Sequence, residues 1–246
     1  MKHLGHTVAD PATAGQAELI EALHAMIGHP DFPCLGARSV FRQDRATVRV
    51  YDELGSLASA ARLLEDLSRF ASQADIDDGF ASFIALFRGP HIDGEWAFEE
   101  LLWDQLREVH AADEQPWAPD VSADPDDPHF AFSAAGTAYF VVGLHPKASR
   151  DARRAAVPTL VFNLHAQFEE LRASGSFPRM RDLIRTRDEA LQGTINPMVS
   201  DHGQSSEARQ YSGREVGPEW QAPFEADTDA PHGQSDHAVA QSPKGT

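Results

Sequence analysis

His145 closes the most apolar run of the chain, Ala138–Leu144, and Pro146, Lys147, Arg150, Arg153 and Arg154 follow it closely. A buried strand that ends on an imidazole, with cations just beyond, suits a ligand with one coordinating centre and negatively charged arms. A neutral imidazole can bind iron while a neighbouring acceptor orients its second nitrogen. Planar guanidinium groups pair with carboxylates such as haem propionates. The plainer reading is a satisfied turn residue, the ordinary role of a histidine before a proline. Cys34, the single cysteine, is the alternative ligand. A thiolate on haem iron pushes electron density towards oxygen cleavage, whereas most lone cysteines behave as small buried hydrophobes. His91, His129 and His165 are further imidazoles. His165 falls one residue into a helix after a strand, where a core or capping role is usual.

Other chemistries lack their residues. No GxxxxGK[ST] and no GxGxxG after a strand is present, which removes support for nucleotide folds. No HExxH and no GxSxG elbow occurs. One cysteine permits no intramolecular disulfide and no cysteine-rich zinc or iron–sulfur site. The net charge of −17 over 246 residues argues against nonspecific nucleic-acid binding, which needs phosphate-neutralising cations. No apolar run approaches the roughly 20 residues that span a bilayer, and the N-terminus lacks the apolar core of a secretory signal. A soluble, cytoplasmic protein with no membrane partner is expected.

The charge is unevenly distributed. Residues 93–127 hold twelve Asp or Glu against one Arg, and residues 145–187 hold eight Arg and one Lys against four acids. Charge runs of this kind are usually solvated surface, but the arginine excess beside His145 is harder to dismiss.

The elements that must position these residues follow from periodicity. Residues 15–28 place Leu19, Ile20, Leu23, Met26 and Ile27 on one helical stripe, with Gly28 as C-cap. Residues 31–36 are a turn-rich segment carrying Cys34. Arg45–Leu54 alternates as a half-buried strand. Residues 57–71 form an amphipathic helix through Leu57, Ala61, Leu64, Leu67 and Phe70. Phe80–Phe87 is apolar enough to lie inside a sheet. A helix starting at Asp93 or Gly94 runs to about His110 with Trp96, Leu101, Leu102, Trp103 and Leu106 inward.

The Pro- and Asp-rich residues 111–128 read as an ordered loop or lid. Phe130–Phe132 and Ala138–Leu144 flank a hairpin turn. Thr159–Asn163 is a strand, followed by a helix from about His165 to Ala173. Phe177–Leu191 is helical, with Met180, Leu183, Ile184 and Leu191 inward. The pattern predicts an α+β fold, a single domain with a mainly antiparallel sheet packed with helices. Residues 1–14 read as a flexible N-terminus, 15–224 as the folded domain and 225–246 as a disordered acidic tail.

Four stretches carry a family resemblance: FPCLG (Phe32–Gly36), PHFAFSAAGTAYFVVGLHPKASRDARR (Pro128–Arg154), VFNLHAQFEELR (Val161–Arg172) and RDEALQGTINPMVSDHGQSSEARQYSGR (Arg187–Arg214). Together they resemble the YqcI/YcgG family, in particular its branch of haem-dependent guanidine N-hydroxylases, over roughly residues 30–224. The resemblance implies a haem b (iron protoporphyrin IX) protein that uses O2 and outside electrons to hydroxylate a nitrogen of a guanidine-like or amino-azole small molecule. It implies His145 as metal ligand with Cys34 as the alternative, and Arg150 and Arg153 as propionate anchors. Phe140 and Tyr211 would contact the cofactor, and residues 206–211 would fold over the pocket. Glu207 is the favoured catalytic carboxylate for pairing a guanidinium, ahead of Asp93, Glu95 and Glu99. Arg88 or Arg209 would meet a substrate α-carboxylate. The implied partners are the guanidine-like substrate, an electron-donating reductase and a second copy of the chain in a homodimer. The competing reading is a haem-binding or sensing module without oxygenase turnover.

Overall fold

The computed structural model describes Leu4 and residues 7–75, 79–198 and 204–227. Among the described residues, five strands form one sheet: β1 (Ala46–Glu53), β2 (Ser82–Gly89), β3 (Phe132–Ala134), β4 (Thr137–Leu144) and β5 (Thr159–Leu164), in the order β1-β2-β5-β4-β3. β1 and β2 run parallel, and every other neighbouring pair is antiparallel. Among the described residues, seven α-helices accompany this sheet: α1 (Gln16–Gly28), α2 (Leu35–Arg42), α3 (Leu57–Gln73), α4 (Glu95–Ala112), α5 (His165–Ala173), α6 (Phe177–Gln192) and the short α7 (Ala208–Tyr211). The architecture is α+β, as the alternation of helical and strand periods predicts. No helix among the described residues is long and apolar enough to cross a membrane.

Pairing register sorts the strands' side chains into two faces. Phe140, Asn163 and Ser82 form one cross-strand row, and Val142, Val161 and Ile84 form the next row on the same face. Tyr139, Val141, Phe162, Phe83 and Ala85 lie out of phase and point the other way, into a core completed by Leu63, Leu67, Leu102 and Trp103 of α3 and α4. Trp103, Phe130, Tyr211 and Phe224 add an aromatic cluster with ring centroids 5.7–6.2 Å apart. The opposite face packs against α1 through Leu19, Leu23, Met26 and Ile27, the stripe read from the sequence.

The β3–β4 hairpin turns at Ala135 and Gly136, whose φ values of 51° and 70° meet the left-handed requirement of a tight hairpin. Asp113, from the acidic loop, accepts the Ala135 N–H at 2.6 Å and fixes that turn. Gly143 answers a different need. A Cβ there would lie 2.6 Å from Phe98 and 2.8 Å from the Tyr211 carbonyl, so glycine lets α4 and the returning tail close on β4.

Gly28 ends α1 inside the helix with His29 as C-cap, the first hairpin strand lies at Phe132–Ala134 rather than Phe130–Phe132, Ala61 is exposed, and other local expectations change as well. Residues 31–36 lead into α2, whose N-cap is Cys34; its Sγ accepts the Ala37 N–H at 3.4 Å. Trp96 is exposed rather than inward, and the Arg214 guanidinium stacks on one face of its ring at 3.7 Å. Leu57 and Leu183 are also exposed. Leu4 and Ala14, within the segment expected to be flexible, are buried beside α1, and Arg88 donates to the carbonyls of Pro11 and Ala14. Of the expected tail, Glu225–Asp227 is described, and 228–246 lies outside the described residues.

Candidate functional site

A cavity of about 330 Å³ opens on the α1/α2 face of the sheet. Its floor is the rows Phe140–Asn163–Ser82 and Val142–Val161–Ile84, which strand alternation aims at this side. One wall comes from α1 and α2, with Leu23, Ile27, Val40 and Phe41; the facing wall comes from α6, with Phe177, Met180 and Ile184. The apolar stripe of α6 therefore lines a chamber instead of filling a core, which accounts for its half-buried residues.

Cys34 reaches this cavity because buried Phe32 and Pro33 bring the chain to the sheet before α2 begins. Burial pushes its thiol pKa up, and the N–H groups of Ala37 and Gly36 and the charge of Arg153 partly offset that shift. Arg153 stands in the 3-10 turn 151–153 after β4. It donates to the carbonyls of Gly143 at 2.9 Å, Gln210 at 3.2 Å and Tyr211 at 3.4 Å. Burial pulls its pKa down to about 10. Arg150 pairs with Asp188 at 2.6 Å and donates to the Thr194 carbonyl at 2.7 Å, tying the C-terminal end of α6 to the turn. Arg154 is a local staple, donating to the Ala148 and Ser149 carbonyls and pairing with Asp151.

The structure thus brings Cys34, Phe140, Arg150 and Arg153 around one cavity. It does not bring His145 there. The imidazole is 1% exposed and stacks on Phe98 of α4, ring centroids 4.3 Å apart, and its Nδ1 accepts the Lys147 N–H at 3.3 Å. Burial chiefly, with Arg153 and Arg154, lowers its pKa to about 4 against the opposing charge of Glu95, so the ring is neutral at pH 7.

Glu207 and Tyr211 also stand apart from the cavity lining. The Tyr211 hydroxyl donates to Glu207 at 2.7 Å and accepts the Phe132 N–H at 3.1 Å, joining the tail to the hairpin. Burial raises the Glu207 pKa to about 8, against the Tyr211 hydrogen bond and the Arg172 charge.

The remaining candidates are engaged elsewhere. Glu99 accepts from Ser212 Oγ at 3.0 Å and Arg214 Nε at 2.9 Å and is also bridged by Arg214 Nη2. Glu95 accepts the Ser149 N–H at 2.9 Å. Asp93 is exposed beside His91, His129 is exposed beside Asp127, and His165 is buried at the start of α5. Arg209 donates to the Trp220 and Gly217 carbonyls.

Sequence reasoning overlooked Ser82, Asn163 and the α6 wall. Asn163 had a usable signal, since it is the one amide within the apolar strand Thr159–Leu164.

A profile of the YqcI/YcgG family matches residues 23–225, most of the chain and all of the cavity lining. The chain belongs to the YqcI/YcgG family. Among relatives, it is 29% identical over 191 residues to the uncharacterized protein YcgG of Bacillus subtilis (strain 168), covering 73% of this chain and 75% of the relative. It is 26% identical over 210 residues to the uncharacterized protein YqcI of the same organism, covering 80% and 82%. No solved structure matches the chain. Phe32, Pro33 and Cys34 line the same cavity as Val161 and Asn163, although well over a hundred positions separate them in sequence.

The donor set can be tested against a cofactor. Among the described residues, no group of three or more His, Cys, Asp or Glu side chains gathers into a metal cage. A metal held in a macrocycle needs only one or two protein ligands. The Cys34 and Met180 sulfurs on a mostly apolar chamber, with guanidinium groups along it, suit a flat apolar group carrying anionic arms.

Proposed function

We propose that the chain is a haem-dependent N-oxygenase that hydroxylates a nitrogen of a small guanidine-like or amino-azole molecule in this cavity. Balanced, the reaction turns a substrate N–H into N–OH, reduces the second oxygen atom of O2 to water, and takes two electrons and two protons from an external reductase. Haem b supplies the oxygen-activating chemistry when bound.

The observation that supports this reading is Cys34 at the cavity wall, with apolar rows beneath it and Arg153 beside it. Cys34 is the proposed iron ligand, and His145 is the ring that braces α4 against the end of β4. To anchor propionate carboxylates, Arg150 would share its guanidinium with Asp188, and Arg153 would use donors beyond those it gives to the Gly143, Gln210 and Tyr211 carbonyls. The apolar walls from α1 and α6 exclude water, which strengthens every electrostatic contact inside. Phe140 supplies a flat contact surface.

The test is purification with added haemin, followed by the absorption spectrum and mass spectrometry of guanidine and amino-azole panels incubated with reductant and O2. A Soret band and a product heavier by one oxygen atom are expected. Haem uptake with no oxygenated product across the panel would leave a haem-binding module, and a colourless protein that refuses haemin would overturn the reading.

A further inference from the structure

At one end of the cavity floor, two polar side chains interrupt an apolar sheet face. Ser82 Oγ donates to Asn163 Oδ1 at 2.7 Å, and Asn163 Nδ2 donates to the Phe140 carbonyl at 3.3 Å. An amide has two N–H donors and a carbonyl with two lone pairs. After these two bonds Asn163 retains one donor and one acceptor site, and it is only half-buried because its side chain lines the cavity. The pair is held from behind: Gln167 accepts the Ala81 N–H at 2.8 Å and donates to the Ala81 carbonyl at 3.0 Å, fixing the backbone next to Ser82.

Three aromatic rings line the same cavity, and Phe140 is the cross-strand neighbour of Asn163. Phe168 of α5 packs edge-on against Phe80 at 5.7 Å and against Phe140 at 5.6 Å, and all three line the cavity. Asn163, Gln167 and Phe168 all come from the VFNLHAQF stretch.

The charge of the chamber selects what such a box can take. Its lining includes Arg150, Arg153, Arg181 and Arg185; Asp188 is the sole carboxylate among the described lining residues, and it pairs with Arg150 at 2.6 Å. Arg181 is paired with Asp182 at 2.9 Å, so a cationic ligand would meet the Arg153 guanidinium and, among the described lining residues, no carboxylate outside the Arg150–Asp188 pair. An anionic group would be drawn to the guanidinium side chains and away from the amide. What remains is a planar ligand with a neutral edge that offers a donor next to an acceptor.

We infer that Ser82 and Asn163, within the Phe80–Phe140–Phe168 box, form a recognition subsite for the uncharged amide-like edge of a flat small molecule, such as a carboxamide, a urea or an amidine in its neutral form. As a statement about the substrate it rests on the proposed N-oxygenase reading, since a nitrogen bound neutral keeps the lone pair that oxygenation consumes. As a statement about binding it does not involve iron.

The test uses benzamide and benzamidine, which share size and shape and differ in charge at pH 7. Each is titrated by calorimetry into wild-type protein, as isolated and after haemin loading, so that a failure of haem chemistry does not disturb the result. Wild type binds benzamide about tenfold more tightly than benzamidine, and Asn163→Ala and Ser82→Ala each weaken benzamide several-fold. Asn163→Asp keeps the shape, adds a carboxylate and reverses the preference. If Asn163→Ala fails to fold, Asn163→Asp and Ser82→Ala carry the test, with melting curves confirming the native state. A wild-type preference for benzamidine, no saturable benzamide binding, or an unchanged preference in folded Asn163→Asp would overturn the inference.

Discussion

On one face of the sheet Tyr139, Val141 and Gly143 press against α4 and the returning tail. On the other face, one residue out of phase, Phe140 and Val142 floor a chamber of about 330 Å³. The same strand serves both. On the packed face Glu99 pairs with Arg214 and Tyr211 with Glu207, while Trp103 Nε1 and Gln105 Nε2 are buried without a hydrogen-bond partner. The cavity face carries guanidinium groups held by Asp188, Asp182 and backbone carbonyls, together with the sulfurs of Cys34 and Met180 and the amides of Asn163, Asn196 and Gln210. Buried polar groups that satisfy each other build a fold, whereas polar groups that retain bonding capacity beside a void are available to a ligand.

If that contrast holds, substitutions on the two faces fail in different ways. The largest stability loss belongs to the packed face. Glu99→Ala leaves the buried Arg214 guanidinium without its carboxylate and is expected to cost about 3–5 kcal/mol in urea denaturation. Gly143→Ala forces a methyl against Phe98 and the Tyr211 carbonyl and costs about 1–3 kcal/mol by the same measurement. Val142→Ala, which trims a side chain already bordering empty space, costs less than about 1 kcal/mol but alters ligand affinity. A loss from Val142→Ala as large as that from Gly143→Ala would break the comparison.

The smallest effects are in pH dependence, and they have opposite signs. His145 has its pKa lowered from 6.5 to about 4, so between those values the unfolded chain binds a proton that the folded chain refuses. Its contribution to stability is complete above pH 6.5 and lost as pH falls towards 4. His145→Gln should flatten that acid limb in melting curves. Glu207 has its pKa raised from 4.5 to about 8, so in that window the folded chain holds the extra proton and stability declines as pH rises. Glu207→Gln should remove the decline and leave the acid limb intact.

Much of this was legible in the sequence where the cause is local. The Ala135-Gly136 turn, the stripe of α1 and the apolar run of β2 each depend on neighbours a few positions away. α2 escaped notice because it is short, follows a proline and is capped by a sulfur. Trp96 was misplaced, and the cation that stacks on one face of its ring, Arg214, arrives from more than a hundred residues downstream.

The site was harder to read than the fold. Cys34 and His145 were both plausible ligands, and alternation already put His145 in phase with Tyr139, Val141 and Gly143. Only the positions of α5 and α6, set by long-range packing, decide which phase borders the cavity. The amide of Asn163 broke an apolar strand in plain view, but its meaning depends on Ser82 in a strand paired with it across the sheet.

The Cys34 sulfur on the cavity face, and not the His145 imidazole on the packed face, is the proposed ligating group. The direct measurement is the absorption spectrum of haemin-loaded, dithionite-reduced protein under CO, taken for wild type, Cys34→Ser and His145→Gln at matched folded concentration. A thiolate-type spectrum in wild type, retained in His145→Gln and lost in Cys34→Ser, is the predicted result. An imidazole-type spectrum in wild type that survives Cys34→Ser and disappears in His145→Gln would contradict it.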